Sequence, residues 1–134
     1  MINKIEHIGI AVKNLKESSI IYEKILGTKS YKKEEVDTEN VITEFFKVGN
    51  SKIELLQATS ENSAIAKFIE KKGEGIHHIA FNVANIYTEI KRLKDEGFTM
   101  INEKPKLGAD NKLICFVHPK STNGVLIEIC QEII

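Results

Sequence analysis

Hydrophobic and polar residues alternate at the start of the chain and again near its middle. Residues 5–12 alternate in the manner of a half-buried strand. Apolar residues then recur at helical spacing from Leu15 to Leu26, after Asn14 as a capping residue and before Gly27, which ends the helix. Three more extended stretches complete this part of the chain, at residues 29–36, 41–48 and 52–57.

The second half of the chain repeats this order of elements. A strand at 76–83 is followed by a helix at 86–96, which begins after Asn85 and ends at Gly97. A separate helix at 63–72 connects the two halves. The remaining strands are predicted near residues 98–102, 112–118 and 125–131.

The two halves also match residue by residue. A shift of 71 residues places Ile5, His7, Ile8, Val12 and Asn14 on Ile76, His78, Ile79, Val83 and Asn85. A shift of 74 residues places "IELLQ" at 53–57 on "IEICQ" at 127–131. Such self-similarity indicates a duplicated supersecondary unit. We therefore predict one α+β domain over residues 1–134, built from two tandem βαβββ modules at about 1–60 and 74–134, with the helix at 63–72 as their link.

Composition narrows the class of protein. Lysine plus arginine and aspartate plus glutamate number 19 each, so no net charge favours nucleic acid or an acidic membrane surface. No apolar run approaches the length of a membrane span, and the strand pattern begins almost at Met1, which leaves no room for a signal peptide. Cys115 and Cys130 are expected to be reduced thiols in core positions. We expect a cytoplasmic protein.

Four polar residues stand on the less bulky faces of strands. His7 and His78 alternate with large apolar residues, and so do Glu54 and Glu128, each pair in equivalent places of the two copies. If the modules form a concave mixed sheet with the helices on its outer face, these side chains converge in a cleft. Two imidazoles and two carboxylates suit a divalent cation, whose charge would also offset two buried carboxylates. Their alternative role is that of ordinary hydrogen-bonded interior groups, whereas His77, on the other strand face, is expected to be structural.

Several segments resemble a known family. They are "HIGIAV" (7–12), "GEGIHHIAFNV" (73–83), "EKPKLGA" (103–109) and "FVHPKSTNGVLIEICQ" (116–131). With the duplicated modules, they resemble the vicinal oxygen chelate superfamily and, within it, the methylmalonyl-CoA epimerase family. The likeness covers nearly the whole chain. Glu54 stands where some family members have glutamine, and this difference alters the charge of the site.

The resemblance implies a reaction and its residues. The expected reaction interconverts (R)- and (S)-methylmalonyl-CoA by removing the α-proton and returning it on the opposite face. The resemblance assigns the two bases to Glu44 and Glu128. It assigns one divalent metal ion to His7, Glu54, His78 and Glu128, with cobalt, manganese, zinc, nickel and magnesium as candidates. A metal bound to two substrate oxygens would stabilise the enolate.

The remaining expectations concern partners. A homodimer is expected, and methylmalonyl-CoA is the expected small-molecule partner, with no nucleic acid and no membrane. Lys104, Lys106 and Lys120 are candidates for binding the coenzyme A phosphates, although most lysines are simply solvated. His118 could contact the substrate or close the turn in "HPKS".

Related reactions on the same scaffold remain alternatives. A glyoxalase I-like isomerase or an extradiol dioxygenase would keep the metal and change the chemistry. A non-enzymatic binding protein of the bleomycin-resistance type would have no metal. Metal analysis separates the binding protein from the enzymes, and exchange of the α-proton with deuterium separates the epimerase from the dioxygenase.

Overall fold

A computed structural model of the chain describes residues 1–133. Within this range it contains three α-helices and eight strands in the order of two βαβββ modules joined by a helix, which confirms the α+β class. None of these helices is long and apolar enough to cross a membrane. The elements are β1 (Ile2–Ala11), α1 (Leu15–Leu26), β2 (Lys32–Val36), β3 (Val41–Val48), β4 (Ser51–Ala58), α2 (Ala64–Lys72), β5 (Gly75–Val83), α3 (Ile86–Asp95), β6 (Lys106–Gly108), β7 (Lys112–Val117) and β8 (Ile127–Glu132).

One predicted strand is wrong. Residues 98–102 form no strand, and Met100 makes only an isolated antiparallel bridge to Val117. The chain leaves the edge of β7 at Asn102, because the side-chain oxygen of Asn102 accepts the hydrogen bond from the Phe116 N–H. Pro105 cannot continue the pairing, because proline has no N–H to donate. It returns as β6, which pairs with the start of β7.

The chain divides into two compact units, the first of which is His7–His77. Its strands follow the order β2-β3-β4-β1, with β1 and β4 parallel and the other pairs antiparallel. Helix α1 covers one face of these strands. The core under it contains Val12, Leu15, Phe46 and Leu55, with Ile10, Tyr22, Leu26, Ile42 and Ile53 packed against them.

The second unit comprises Met1–Glu6 and the described residues from His78 onward. Its order is β1-β5-β8-β7-β6, in which the first residues of β1 lie beside β5 and the Asn82 amide donates to the Asn3 side-chain oxygen at 2.9 Å. Strands β5 and β8 are parallel, and β8, β7 and β6 are antiparallel. The core between α3 and these strands contains Val83, Ile86, Ile90, Leu93, Met100, Cys115, Val117 and Ile129.

The duplication extends to the start of each helix. Asn14 caps α1 and Asn85 caps α3, and each side chain accepts from a backbone N–H three residues on, at 3.0 and 3.1 Å. Gln57 at the end of β4 accepts from the first N–H of α1 at 2.6 Å, and Gln131 on β8 accepts from the first N–H of α3 at 2.7 Å. Each module therefore satisfies its own helix N-terminus with the last strand of that module.

Removing either glutamine should loosen its helix. We expect Gln57→Ala and Gln131→Ala each to lower the free energy of unfolding by about 1 kcal/mol, because one helix N–H loses its acceptor. Urea denaturation measures the loss. Gln57→Glu, which keeps an acceptor and adds a negative charge at the helix N-terminus, is the control and should retain most of the stability. Equal stability of wild type and both alanine variants would contradict this assignment.

Candidate functional site

His7 and Glu54 lie side by side on the strand face that α1 leaves uncovered. Glu54 is registered opposite Gly9 on β1, two residues from His7, so alternation gives both side chains the same face. His7 Nδ1 is 3.0 Å from Glu54 Oε2. Both residues are buried, with exposed fractions of 4% and 5%. The apolar neighbours Ile53 and Leu55 point to α1, as the alternation predicts.

His78 and Glu128 form the equivalent pair in the second unit. Glu128 on β8 is registered opposite Ala80 on β5, and His78 Nε2 is 3.4 Å from Glu128 Oε1. Both side chains are buried, and the ring of Phe116 on β7 meets the imidazole edge-on with centroids 6.1 Å apart. The next residue on β8, Ile129, belongs to the core under α3. Each copy therefore contains one buried imidazole–carboxylate pair.

The predicted ligands include the donor types that a metal ion needs. His7 and Glu54 offer a nitrogen and an oxygen atom side by side in the first unit, and His78 and Glu128 offer the same two atom types in the second. The set combines borderline nitrogen donors with a hard oxygen donor and contains no thiolate, which suits a divalent metal such as zinc, manganese or cobalt. A cation also fits the burial of these groups, because a carboxylate sealed from water needs a positive neighbour.

Glu44 occupies a different environment from Glu54. In the register of β3 and β4, Phe45 faces Glu54 and Glu44 faces Leu55, so the two glutamates lie on opposite faces of these strands. The predicted neighbours Ile42 and Phe46 do share the face of Glu44, but it is the face that α1 covers. The structure therefore does not bring Glu44 together with Glu54.

The carboxylate of Glu44 is held at one oxygen only. Oε2 accepts from Ser19 Oγ of α1 at 2.9 Å and from Ser30 Oγ at 2.6 Å. Oε1 is buried and has no hydrogen-bond partner among residues 1–133. A buried carboxylate oxygen without a donor is costly, so the burial of Glu44 is only partly compensated.

The structure places two other histidines outside the site. His77 meets the ring of Phe68 on α2 edge-on, with centroids 5.0 Å apart, in agreement with a structural role. His118 Nδ1 accepts from the Lys120 backbone N–H at 3.1 Å, so His118 closes its turn. Lys104 and Lys120 are exposed and Lys106 is half-buried.

The cysteines are core residues. Cys115 and Cys130 are free thiols and fully buried. Burial raises the pKa of Cys115, which keeps it a neutral thiol, and its Sγ contacts the Asn102 carbonyl oxygen at 3.4 Å. Cys115 packs under α3. It fills space as the sequence predicts.

The sequence analysis missed one buried residue on the strand face that carries Glu128. Lys112 on β7 is buried, with an exposed fraction of 6%. Its signal in the sequence is alternation, because Lys112, Ile114 and Phe116 share a face while Leu113, Cys115 and Val117 point to α3. A lysine at the first position of a strand is usually solvated, and its burial depends on tertiary packing.

Comparison with known proteins agrees with this architecture. Residues 6–116 match the model of the Glyoxalase/Bleomycin resistance protein/Dioxygenase superfamily, and the chain belongs to this superfamily.

Within the superfamily, several similar proteins are methylmalonyl-CoA epimerases. The mitochondrial methylmalonyl-CoA epimerase of Dictyostelium discoideum is 39% identical over 98% of this chain and 80% of its own length. The ethylmalonyl-CoA/methylmalonyl-CoA epimerase of Cereibacter sphaeroides is 38% identical over 98% of this chain and 99% of its own. The structure of a variant of Streptomyces coelicolor methylmalonyl-CoA epimerase in complex with 2-nitronate-propionyl-CoA matches with a TM-score of 0.96 and 31% identity, over 100% of both chains.

Proposed function

We propose that this protein is a methylmalonyl-CoA epimerase. It interconverts the (R) and (S) forms of methylmalonyl-CoA by exchanging the proton on the carbon between the thioester and the carboxylate. The observation that carries this conclusion is the near full-length similarity to epimerases from organisms as distant as Dictyostelium discoideum and Cereibacter sphaeroides. The two buried imidazole–carboxylate pairs supply the groups that such chemistry requires.

We propose that four side chains hold one divalent metal ion: His7, Glu54, His78 and Glu128. The support is that each unit buries one imidazole beside one carboxylate, His7 with Glu54 and His78 with Glu128. When bound, the cation supplies Lewis-acid stabilisation of the negative charge that develops on the thioester oxygen. Each histidine is held in place by the carboxylate beside it, so the imidazoles need little reorganisation to bind.

Glu128 is proposed as the base that removes the α-proton. Its carboxylate is buried beside His78 and Phe116, and a carboxylate in such surroundings has few water molecules competing for the proton. Returning the proton on the opposite face requires a second group. The family resemblance assigns that role to Glu44, and this assignment stays a prediction.

Replacement of Glu44 by glutamine tests the assignment. If Glu44 is the second base, Glu44→Gln should slow α-proton exchange by about a hundredfold or more, with unchanged metal content. If Glu44 has only a structural role beneath α1, proton exchange is retained in Glu44→Gln. The thermal midpoint then shifts, because the hydrogen bonds from Ser19 and Ser30 change. Ser30→Ala is the matched control, because it removes one of these bonds without changing the carboxylate. Exchange at the wild-type rate in Glu44→Gln would remove Glu44 from the catalytic residues.

Incubation with one epimer of methylmalonyl-CoA in deuterated water tests the proposed function. We expect deuterium at the α-carbon and formation of the other epimer, measured by mass spectrometry and by circular dichroism of the thioester. Metal quantified in the same sample tests the metal site. Turnover of a hemithioacetal to a thioester, without exchange of the methylmalonyl proton, would favour the glyoxalase I-like alternative. Absence of both activities and of metal would favour a binding protein.

Two further properties remain proposals. We propose that the protein works in the cytoplasm, which fits its two free, buried cysteines, because a reducing compartment keeps thiols reduced. We also propose a homodimer. Light scattering coupled to gel filtration tests the oligomeric state, and a mass of one chain, 15.1 kDa, would exclude the dimer.

A further inference from the structure

Lys112 is a buried cation without a partner among the described residues. It forms no ion pair or hydrogen bond with another side chain of residues 1–133, although it is registered directly opposite Glu132 on β8, which is exposed. Among residues 1–133, Glu44 Oε1 is the only side-chain nitrogen or oxygen atom that is both inaccessible to solvent and without a hydrogen-bond partner. The ammonium nitrogen of Lys112 has no partner among these residues either, so it must keep some contact with solvent. The stem of Lys112 is therefore buried while its ammonium group can still be reached by a ligand.

Other buried charges of the same unit have partners. Glu89 on α3 is 1% exposed, and it accepts a hydrogen bond from the Arg92 guanidinium, which lowers the pKa of the carboxylate. The N-terminal ammonium group lies 3.4 Å from its second oxygen. Lys112 has no such partner among the described residues, so its ammonium group is left to solvent or to a ligand. An anion from outside the chain would form a charge-assisted hydrogen bond with it.

The register places Lys112 on the face that carries Glu128. Directly opposed residues of an antiparallel pair share a face, and β7 and β8 pair Lys112 with Glu132, Ile114 with Cys130 and Phe116 with Glu128. Lys112 is thus four residues along β7 from the residue opposite Glu128. At roughly 3.3 Å per residue this is about 13 Å along the strand. Between the two charged side chains lies a largely buried apolar cluster, formed by Ile114, Phe116, Ala80 and Cys130.

We propose that Lys112 binds an anionic group of the acyl-CoA substrate. The inference rests on the proposed function, which supplies a substrate with negative charge at both ends, a carboxylate on the acyl group and phosphates on coenzyme A. Lys112 is then a substrate-binding residue, and its charge adds little to the stability of the free protein.

Lys112→Met tests the proposal, because methionine keeps the length and apolar volume of the stem and removes the charge. We expect KM for methylmalonyl-CoA to rise about tenfold or more, the effect of losing a charge-assisted hydrogen bond, with kcat within about twofold. The thermal midpoint of the free protein should change little, because the ammonium group has no partner among the described residues to lose. Lys24→Met, at an exposed position of α1, is the matched control and should leave KM unchanged.

A second substrate identifies the anion. Methylmalonyl-pantetheine carries the carboxylate but no phosphate. If Lys112 binds the carboxylate, the ratio of KM between Lys112→Met and wild type is the same for both substrates. If it binds a phosphate, the ratio falls to about one with the pantetheine thioester.

Direct binding separates this inference from the proposed function. Calorimetric titration of methylmalonyl-CoA into wild type and Lys112→Met reports the dissociation constant without turnover. Absence of epimerase activity in the wild-type protein would refute the proposed function. An equal dissociation constant for wild type and Lys112→Met would instead refute the role of Lys112. If Lys112→Met does not fold, Lys112→Gln is titrated in its place, and the same equality would refute the role.

Discussion

Glu128→Gln is expected to slow exchange of the substrate α-proton by about a hundredfold to ten-thousandfold, because general acid–base catalysis by a positioned side chain contributes roughly this much. Glutamine keeps the size of the side chain and cannot accept the proton. The buried position of Glu128, with His78 Nε2 at 3.4 Å, means that a water molecule cannot easily replace the lost carboxylate. The measurement is deuterium incorporation at saturating methylmalonyl-CoA, followed by mass spectrometry.

The strand itself provides the control for this experiment. Glu132 lies four residues further along β8 and is exposed. Glu132→Gln makes the same chemical change on the same strand and should retain exchange at the wild-type rate. Metal content is measured for both variants, because Glu128 is also a proposed ligand. Full exchange activity in Glu128→Gln would refute its role as the base.

His78→Ala should abolish metal binding. In wild type we expect about one divalent ion per chain. A site that has lost one of its two nitrogen donors should retain little metal through dialysis, because the affinity for the metal depends on the full ligand set. Glu128 loses its neighbour at the same time, so deuterium exchange should fall as well. Elemental analysis of the dialysed protein measures the ion directly and does not depend on activity.

The adjacent histidine makes this test selective. His77→Ala removes an imidazole one residue away, on the face that contacts Phe68. It should keep the metal and lower stability by only about 1 kcal/mol, the value of an edge-to-face ring contact. Equal metal loss in the two variants would show that neither histidine is a specific ligand. Normal metal content in His78→Ala would remove His78 from the ligand set.

Local patterns predicted most of the elements of this fold. Strand β3 has the bounds that alternation gave, 41–48, and the Asn14 and Asn85 caps are where the spacing placed them. Residues 98–102 were predicted as a strand and form none, because a side chain interrupts their pairing with β7. Asn102 takes the Phe116 N–H that a strand carbonyl would otherwise accept, and this competition depends on contacts 14 residues apart in sequence.

The site was predictable to the extent that it is duplicated. The repeat identified His7 and His78 with their glutamates, and the structure pairs each histidine with the glutamate of the same module. Alternation also gave the neighbours of Glu44, but it could not say which face of β3 carries α1. That information lies in the register with β4, where Phe45 is opposite Glu54. Register between strands is a tertiary property, so single-strand periodicity could not supply it.

The spacing between Glu54 and Gln57, repeated at Glu128 and Gln131, makes strand slippage doubly unfavourable. A slip by one residue would turn the carboxylate toward the apolar core and, in the same movement, withdraw the amide oxygen from the first turn of the helix. The last strand of each module is thus locked at both ends of a four-residue stretch. A glutamate whose lateral position must be fixed gains that precision from a neighbour that takes no part in chemistry.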